Sequence, residues 1–350
     1  MESMRQNLGY AVAGTIFGIL LMLGVGRWNT EETATDIIST STVEASKANI
    51  VKAPDPNSPK LAFVTNNAAE FWKLAAAGIH KYEKESKVHV DITLPLNGKI
   101  EEQNGILENL VNQGYNGIAI SSIAPDDQMP AINHAAKTSN IICFDSDCPK
   151  SDRIMYIGTN NLEAGRVLGG EIVKLLPDGG KVAIFVGTFS ADNAKQRLAG
   201  IEDVIQGHNI EIVAKKEDSN NGDKARSNVE EVIRANIDLN LVCGLYSYNG
   251  PAISQAIEAS GRMGKILAVV FDEEPGTLDG IQRGIINCTV VQEPFQFGYL
   301  SAKLLHEMAL KGGTIDLPPG SVIDTGARVI DASNLAAFMN ELSLKKNAAG

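Results

Sequence analysis

Positive charge is scarce in this sequence. Thirty-one Lys and Arg stand against 42 Asp and Glu, a formal charge of −11, and no basic run exceeds two residues, as at Lys215-Lys216 and Lys345-Lys346. A protein that holds nucleic acid must neutralise phosphates with clustered Lys and Arg. A nucleic-acid partner is therefore not expected, nor adhesion of the body to anionic lipid. Cysteine is equally sparse. Cys143, Cys148, Cys243 and Cys288 contain no CxxC pair, which argues against zinc. No Cys closely follows the apolar N-terminal segment, which excludes a lipid-modified N-terminal Cys. Cys143 and Cys148 admit two readings: a local disulfide in an oxidising compartment, or two reduced, half-buried thiols. His80, His89, His134, His208 and His306 are scattered and match no metal spacing. No HExxH, nucleophile elbow or Ser/His pair is present, and Gly179-Gly180-Lys181 lacks Walker spacing. No catalysis, metal or cofactor is expected.

What is present begins with an apolar run from Leu8 to Val25, preceded by Arg5 and followed by Arg27. At about 1.5 Å per residue it reaches roughly 27 Å, a marginal membrane span. Residues 1–28 therefore read as an uncleaved anchor or as a cleaved signal, with Gly24 and Gly26 as the small residues before a cut. Either sends the body out of the cytoplasm. Residues 29–59 are rich in Thr, Ser and Glu, end in PDPNSP, and read as a flexible linker.

From Lys60 onward, short β-rich runs alternate with stretches of helical spacing. LAFVT, GIAISSI and IICFD read as buried strands, and Phe71, Leu74, Ala75, Gly78, Ile79 and Tyr82 fall on one helix face. The alternation then begins again at Leu162 and continues to Lys311. Apolar strands between amphipathic helices imply parallel sheets covered on both faces. Two successive series imply an α/β protein of two doubly wound parallel-sheet lobes.

Ligands of open parallel sheets bind beyond the carboxyl ends of the strands. The polar residues at those ends are Thr65, Asn66 and Asn67, followed by Phe71-Trp72; Asp145-Ser146-Asp147; Ser190 and then Arg197; Tyr246 to Asn249; Asp272-Glu273-Glu274; and Gln292. Carboxylates, amides and one Arg suit hydroxyls that both donate and accept. Adjacent aromatic rings suit the apolar C–H faces of a sugar.

At AFVTNNAAEFW, GIAISSIAPDD, IICFDSD, MYIGTNNLEAGRVLGGEI, AKQRLAGIEDVI, LYSYNGPAISQAIEASG, VVFDEEP and TVVQEPFQFGYLSAKLL the chain resembles periplasmic sugar-binding proteins of the ribose-binding type. The resemblance covers about residues 60–327. It implies two lobes joined by a three-segment hinge, with one ligand cleft between them. Residues 60–159 with 293–322 are then the first lobe, residues 160–292 with 323–340 the second, and 341–350 a tail. By the same resemblance Phe71 and Trp72 match the aromatic pair and Asp145 the hydroxyl-binding carboxylate. Arg197 matches the second-lobe Arg, and Asn249, Asp272 and Gln292 the second-lobe and hinge polar groups. With Asn66, Asn67 and Ser146 these form the expected ligand set. Ser146 stands where ribose binders carry Arg, and Ala69 where they carry a polar residue, which moves the expectation from ribose to monosaccharides in general. The implied partner is an ABC-type importer permease or, alternatively, a membrane receptor or kinase that reads the closed form. A lactose-repressor-type regulator would need a DNA-binding helix pair, for which residues 1–59 offer no material. The expected location is periplasmic, with possible tethering at the inner membrane, and the expected state a monomer.

Overall fold

The computed structural model describes residues 46–347. The apolar run at Leu8–Val25 and residues 29–45 of the expected linker lie outside them. Among the described residues no helix is long and apolar enough to cross a membrane.

The chain opens with β1 (Lys47–Ile50), β2 (Leu61–Val64), α1 (Trp72–Ser86), β3 (Val90–Thr93), α2 (Ile100–Asn112), β4 (Gly117–Ile120), α3 (Pro125–Ala136), β5 (Asn140–Phe144) and β6 (Met155–Gly158). It continues with α4 (Asn161–Leu175), β7 (Gly180–Val186), α5 (Asp192–Ile205), β8 (Ile210–Glu217), α6 (Gly222–Ala235), β9 (Leu241–Gly244), α7 (Asn249–Ala259), β10 (Leu267–Phe271), α8 (Pro275–Gln282) and β11 (Cys288–Val291). It closes with α9 (Pro294–Lys311), β12 (Gly313–Asp316), β13 (Val322–Asp324), β14 (Arg328–Asp331) and α10 (Leu335–Asn347).

The strands form two six-stranded sheets, ordered β13-β6-β5-β4-β2-β3 in the first lobe and β14-β11-β10-β9-β7-β8 in the second. Within these two sheets all pairs are parallel except β11 with β14, and β1 with β12 forms a separate antiparallel pair. The central strands are buried along their whole length, as at LAFV, GIAI and NIICF, because helices cover both faces and leave no solvated side for polar residues to occupy. The helices bury one stripe each. In α6 the buried residues Ala225, Val229, Val232 and Ile233 recur at steps of three and four. Pro stands in the first turn of α3, α8 and α9, where its missing N–H costs nothing. Asn160 and Asn221 cap α4 and α6 by accepting the N–H groups of Glu163 and Lys224.

Three segments pass between the lobes: β6 to α4, β11 to α9, and β13 to β14. The third lies at residues 325–327, later than the expected break between 322 and 323. β13 extends the first-lobe sheet beside β6, and the Thr325 N–H continues the ladder onto the Gly158 carbonyl at 2.8 Å. Two further expectations are corrected. Residues 47–53, read as linker, are packed: β1 pairs antiparallel with β12, Ile50 and Ala53 are buried, and the Ala53 N–H donates to the Ala309 carbonyl at 2.9 Å. Residues 341–347, read as tail, finish α10, because Leu335, Phe338 and Leu342 share a buried face and Lys345 pairs with Glu293 at 2.5 Å. The four cysteines are free and buried, so Cys143 and Cys148 are neither bridged nor half-buried, and burial pushes the Cys143 thiol well up.

Asn140 clamps residue 51 from the start of β5. Its Oδ1 accepts the Val51 N–H and its Nδ2 donates to the Val51 carbonyl, both at 2.7 Å. Asn140→Ala leaves both backbone groups without these partners, at a cost of about 1–3 kcal/mol. Urea denaturation is expected to show that loss, and an unchanged midpoint would mean that residues 46–53 do not contribute to the stability of the first lobe.

Candidate ligand-binding site

The parallel sheets aim their carboxyl ends at a common gap. β5 ends at Phe144 and β10 at Phe271, and the next residue in each case is an aspartate with positive φ, 56° at Asp145 and 69° at Asp272. Asp tolerates this left-handed turn better than most side chains because it is short and polar. One cavity, partly open to solvent, occupies the gap. The first lobe lines it with Asn66, Asn67, Ala69, Phe71, Trp72 and Asp145, the second with Asn193, Arg197, Tyr246, Ser247, Tyr248 and Asp272.

Arg197 is 1% exposed. Its Nε donates to Asn161 Oδ1 at 2.9 Å, its Nη1 to the Leu245 carbonyl at 2.7 Å, and its guanidinium lies 4.1 Å from the centre of the Phe271 ring. Its Nη2 is buried with no partner. The position of Arg197 depends on how closely α5 approaches α4. A Cβ on Gly165 would sit 2.2 Å from the Arg197 carbonyl oxygen, and one on Gly200 would sit 2.2 Å from that of Leu162.

Asp145 accepts the Ser121 hydroxyl at 2.8 Å and, more loosely at 3.4 Å, the amides of Asn66 and of Asn193 from the opposite lobe. Burial pushes its carboxyl up, while the Arg197 charge and the Ser121 and Asn193 hydrogen bonds oppose the rise. Burial raises Asp272 in the same way. Arg197 opposes it, as does Gln292, whose Nε2 donates to Asp272 Oδ1 at 2.8 Å. The lobes also meet at the rim, where Lys195 lies 3.3 Å from Asp126. On the first-lobe side Phe71 and Trp72 stand edge to face with ring centres 4.8 Å apart, and the indole N–H donates to Asn67 Oδ1 at 3.0 Å.

Seven of the ten expected residues line this one cavity: Asn66, Asn67, Phe71, Trp72, Asp145, Arg197 and Asp272. Three do not. Ser146 is fully buried, and its carbonyl accepts the Ser122 N–H. Asn249 spends both ends of its amide inside the second lobe, on the Tyr246 N–H and on Asp218. Gln292 stands behind Asp272. Asp147 pairs with Arg153. Asn193 was not expected, although it sits four residues before Arg197 and so on the same face of α5. Tyr246, Ser247 and Tyr248 belong to a strand end whose last residue, Asn249, was chosen instead.

A model described as a periplasmic binding protein domain matches residues 61–314. The chain belongs to that family. Among the relatives of this binding protein is the xylose/arabinose-binding protein of Sulfolobus acidocaldarius, 26% identical over 67% of this chain; the match spans 61% of that relative's length. The D-ribose/D-allose-binding protein of Pseudomonas aeruginosa is 25% identical over 81% of this chain and 92% of its own. Among solved structures, an ABC-transporter solute-binding protein from Burkholderia graminis in complex with D-arabinose superposes with a TM-score of 0.75 at 29% identity, covering 81% of this chain and 98% of that one. A glucose-galactose binding protein from Geobacillus stearothermophilus gives 0.73 at 27% identity, over 79% and 99%.

The α4–α5 crossing gives a direct check on how Arg197 is placed. Gly200→Ala forces the helices apart and is expected to lower stability by about 1–3 kcal/mol in urea titrations. Parent-like stability would show that the two helices yield without cost.

Proposed function

We propose that this periplasmic binding protein captures a monosaccharide by closing its lobes and hands it to an ABC-type importer, without transforming it. The observation that carries this reading is the Arg197 guanidinium, buried with Nη2 unpartnered in a cavity that takes Asp145 from one lobe and Asp272 from the other. Asn66 Oδ1 is buried and unpartnered beside them. Each such group costs about 1–3 kcal/mol while unpaired. Sugar hydroxyls donate and accept, so they satisfy both kinds of group at once, and the apolar face of a sugar packs against Phe71 and Trp72. Two carboxylates against one guanidinium disfavour an anionic ligand. The names of the relatives, for xylose, arabinose, ribose and allose, support the monosaccharide class. The ABC-transporter context of the arabinose complex supports the importer as partner, and the periplasmic description of the matching family supports the periplasm as location. Contacts to both lobes exist together only in the closed form, so the ligand favours closure by its differential affinity.

Trp72 reports on the cleft. In a Trp28→Phe chain it is the sole Trp, and its emission is expected to change on titration with the right pentose or hexose. Asp145→Ala and Arg197→Ala should each weaken binding by at least about 30-fold, because a charged partner is left unpaired. A panel of pentoses, hexoses and polyols that alters neither emission nor melting temperature would overturn the reading. Near-parent affinity in either variant would remove that residue from the site.

A further inference from the structure

The second lobe walls the cleft with the turn Tyr246-Ser247-Tyr248, between β9 and α7. Behind this wall stands Asp218, 1% exposed and outside the cavity lining. Its Oδ1 accepts the Tyr248 hydroxyl at 2.6 Å, and its Oδ2 accepts the Asn249 amide at 3.2 Å. Asn249 in turn accepts the Tyr246 N–H at 2.9 Å. One carboxylate therefore holds both ends of the turn, directly at Tyr248 and through Asn249 at Tyr246. The loop that carries it also reaches the opposite lobe. Ser219 and Asn220 adopt φ of 59° and 60°, and the Asn220 side chain lies so near Gly98 that a Cβ there would be 3.2 Å from it.

We propose that Asp218 is a positioning residue that fixes the tyrosine wall of the ligand cleft and makes ligand affinity depend on its own ionisation. The proposal rests on the sugar-binding reading above and adds a mode of regulation to the same site. As an anion Asp218 accepts from Tyr248 and Asn249 together. Once it is protonated, one of its oxygens becomes a donor. The Asn249 NH₂ cannot accept that proton, and Tyr248 can do so only by reversing its own hydroxyl. Burial moves the change to about pH 6, against the hydrogen bonds from Tyr248, Asn249 and the backbone N–H groups of Asn220 and Asn221. The charged groups around it are engaged elsewhere. Glu217 on β8 accepts the Phe189 N–H, Lys224 on α6 reaches Ser219, and Glu274 accepts the Ser247 hydroxyl at 3.1 Å. Lys99 and Glu101 face Glu217 and Asn220 across the outer groove. The sign follows: with the clamp complete above about pH 6, affinity falls as pH drops through that value.

The full chain carrying Trp28→Phe, with and without Asp218→Asn, is titrated with D-ribose, D-arabinose and D-xylose from pH 5 to 8, reading Trp72 emission. Asp145 and Asp272 are the same in both proteins, so the ratio of the two proteins' affinities isolates Asp218. Asp218→Asn is expected to bind about tenfold more weakly at pH 8 and to converge with the parent at pH 5. A ratio that stays constant across this range indicates a merely structural role and overturns the proposal. Backbone amide NMR signals of Tyr246, Ser247 and Asn249 supply a readout that needs no sugar. They should titrate with a midpoint near pH 6 in the parent and lose that transition in Asp218→Asn. Titrating signals without any sugar binding would overturn the sugar reading and leave the clamp standing. Signals that do not titrate would overturn the clamp.

Discussion

A guanidinium removed from water must have its charge balanced and its N–H groups received, or the burial is prohibitive. Arg197 meets that condition in an unusual way. Two of its donors are taken by the Asn161 amide and the Leu245 carbonyl, its face lies on Phe271, and two buried carboxylates oppose its charge. Its Nη2, which carries two more N–H groups, is buried without a partner. The carboxylates stand in the reciprocal position: burial drives both toward the protonated form, and the positive charge of Arg197 opposes it. The cleft thus sets two carboxylates against one guanidinium and is short of hydrogen-bond partners. On the proposed reading, that shortage favours a neutral guest dense in hydroxyls.

The scaffold keeps these three groups facing one another. Asp145 and Asp272 occupy equivalent places in the two sheets, each one residue past a buried strand and each in the left-handed region. Asn161 opens α4 immediately after the first crossing segment, and it touches both sides. It accepts from Arg197 and donates to the Asp145 carbonyl at 3.3 Å. The hinge is therefore wired to the site through one amide. Rotation of the lobes about the crossing segments must alter the very contacts that orient the charged groups.

Much of this was legible in the chain. Buried β-rich runs alternating with amphipathic stretches imply parallel sheets, and parallel sheets place function at strand ends, which points to Asp145 and Asp272; Arg197, on α5, needs the family resemblance as well. What eluded the pattern is side-chain direction within a turn. Tyr246, Ser247, Tyr248 and Asn249 are consecutive polar residues, and no periodicity says which faces the gap. Asn249 turns inward because the Tyr246 N–H and Asp218 both need its amide. Ser146 follows Asp145 directly, yet it is fully buried behind the cleft. Residues 47–53 misled for another reason. They lie between a stretch rich in Thr, Ser and Glu and the PDPNSP run, and their pairing with β12 and with Asn140 is long-range, which the neighbouring sequence does not reveal.

The pairing of β1 with β12 has a mechanical corollary. Tension applied at Ser46 meets a four-residue antiparallel ladder, from Lys47 opposite Asp316 to Ile50 opposite Gly313, reinforced by the Asn140 clamp on Val51. The load therefore enters the first lobe through β12 and the first residue of β5, and not through any of the three crossing segments.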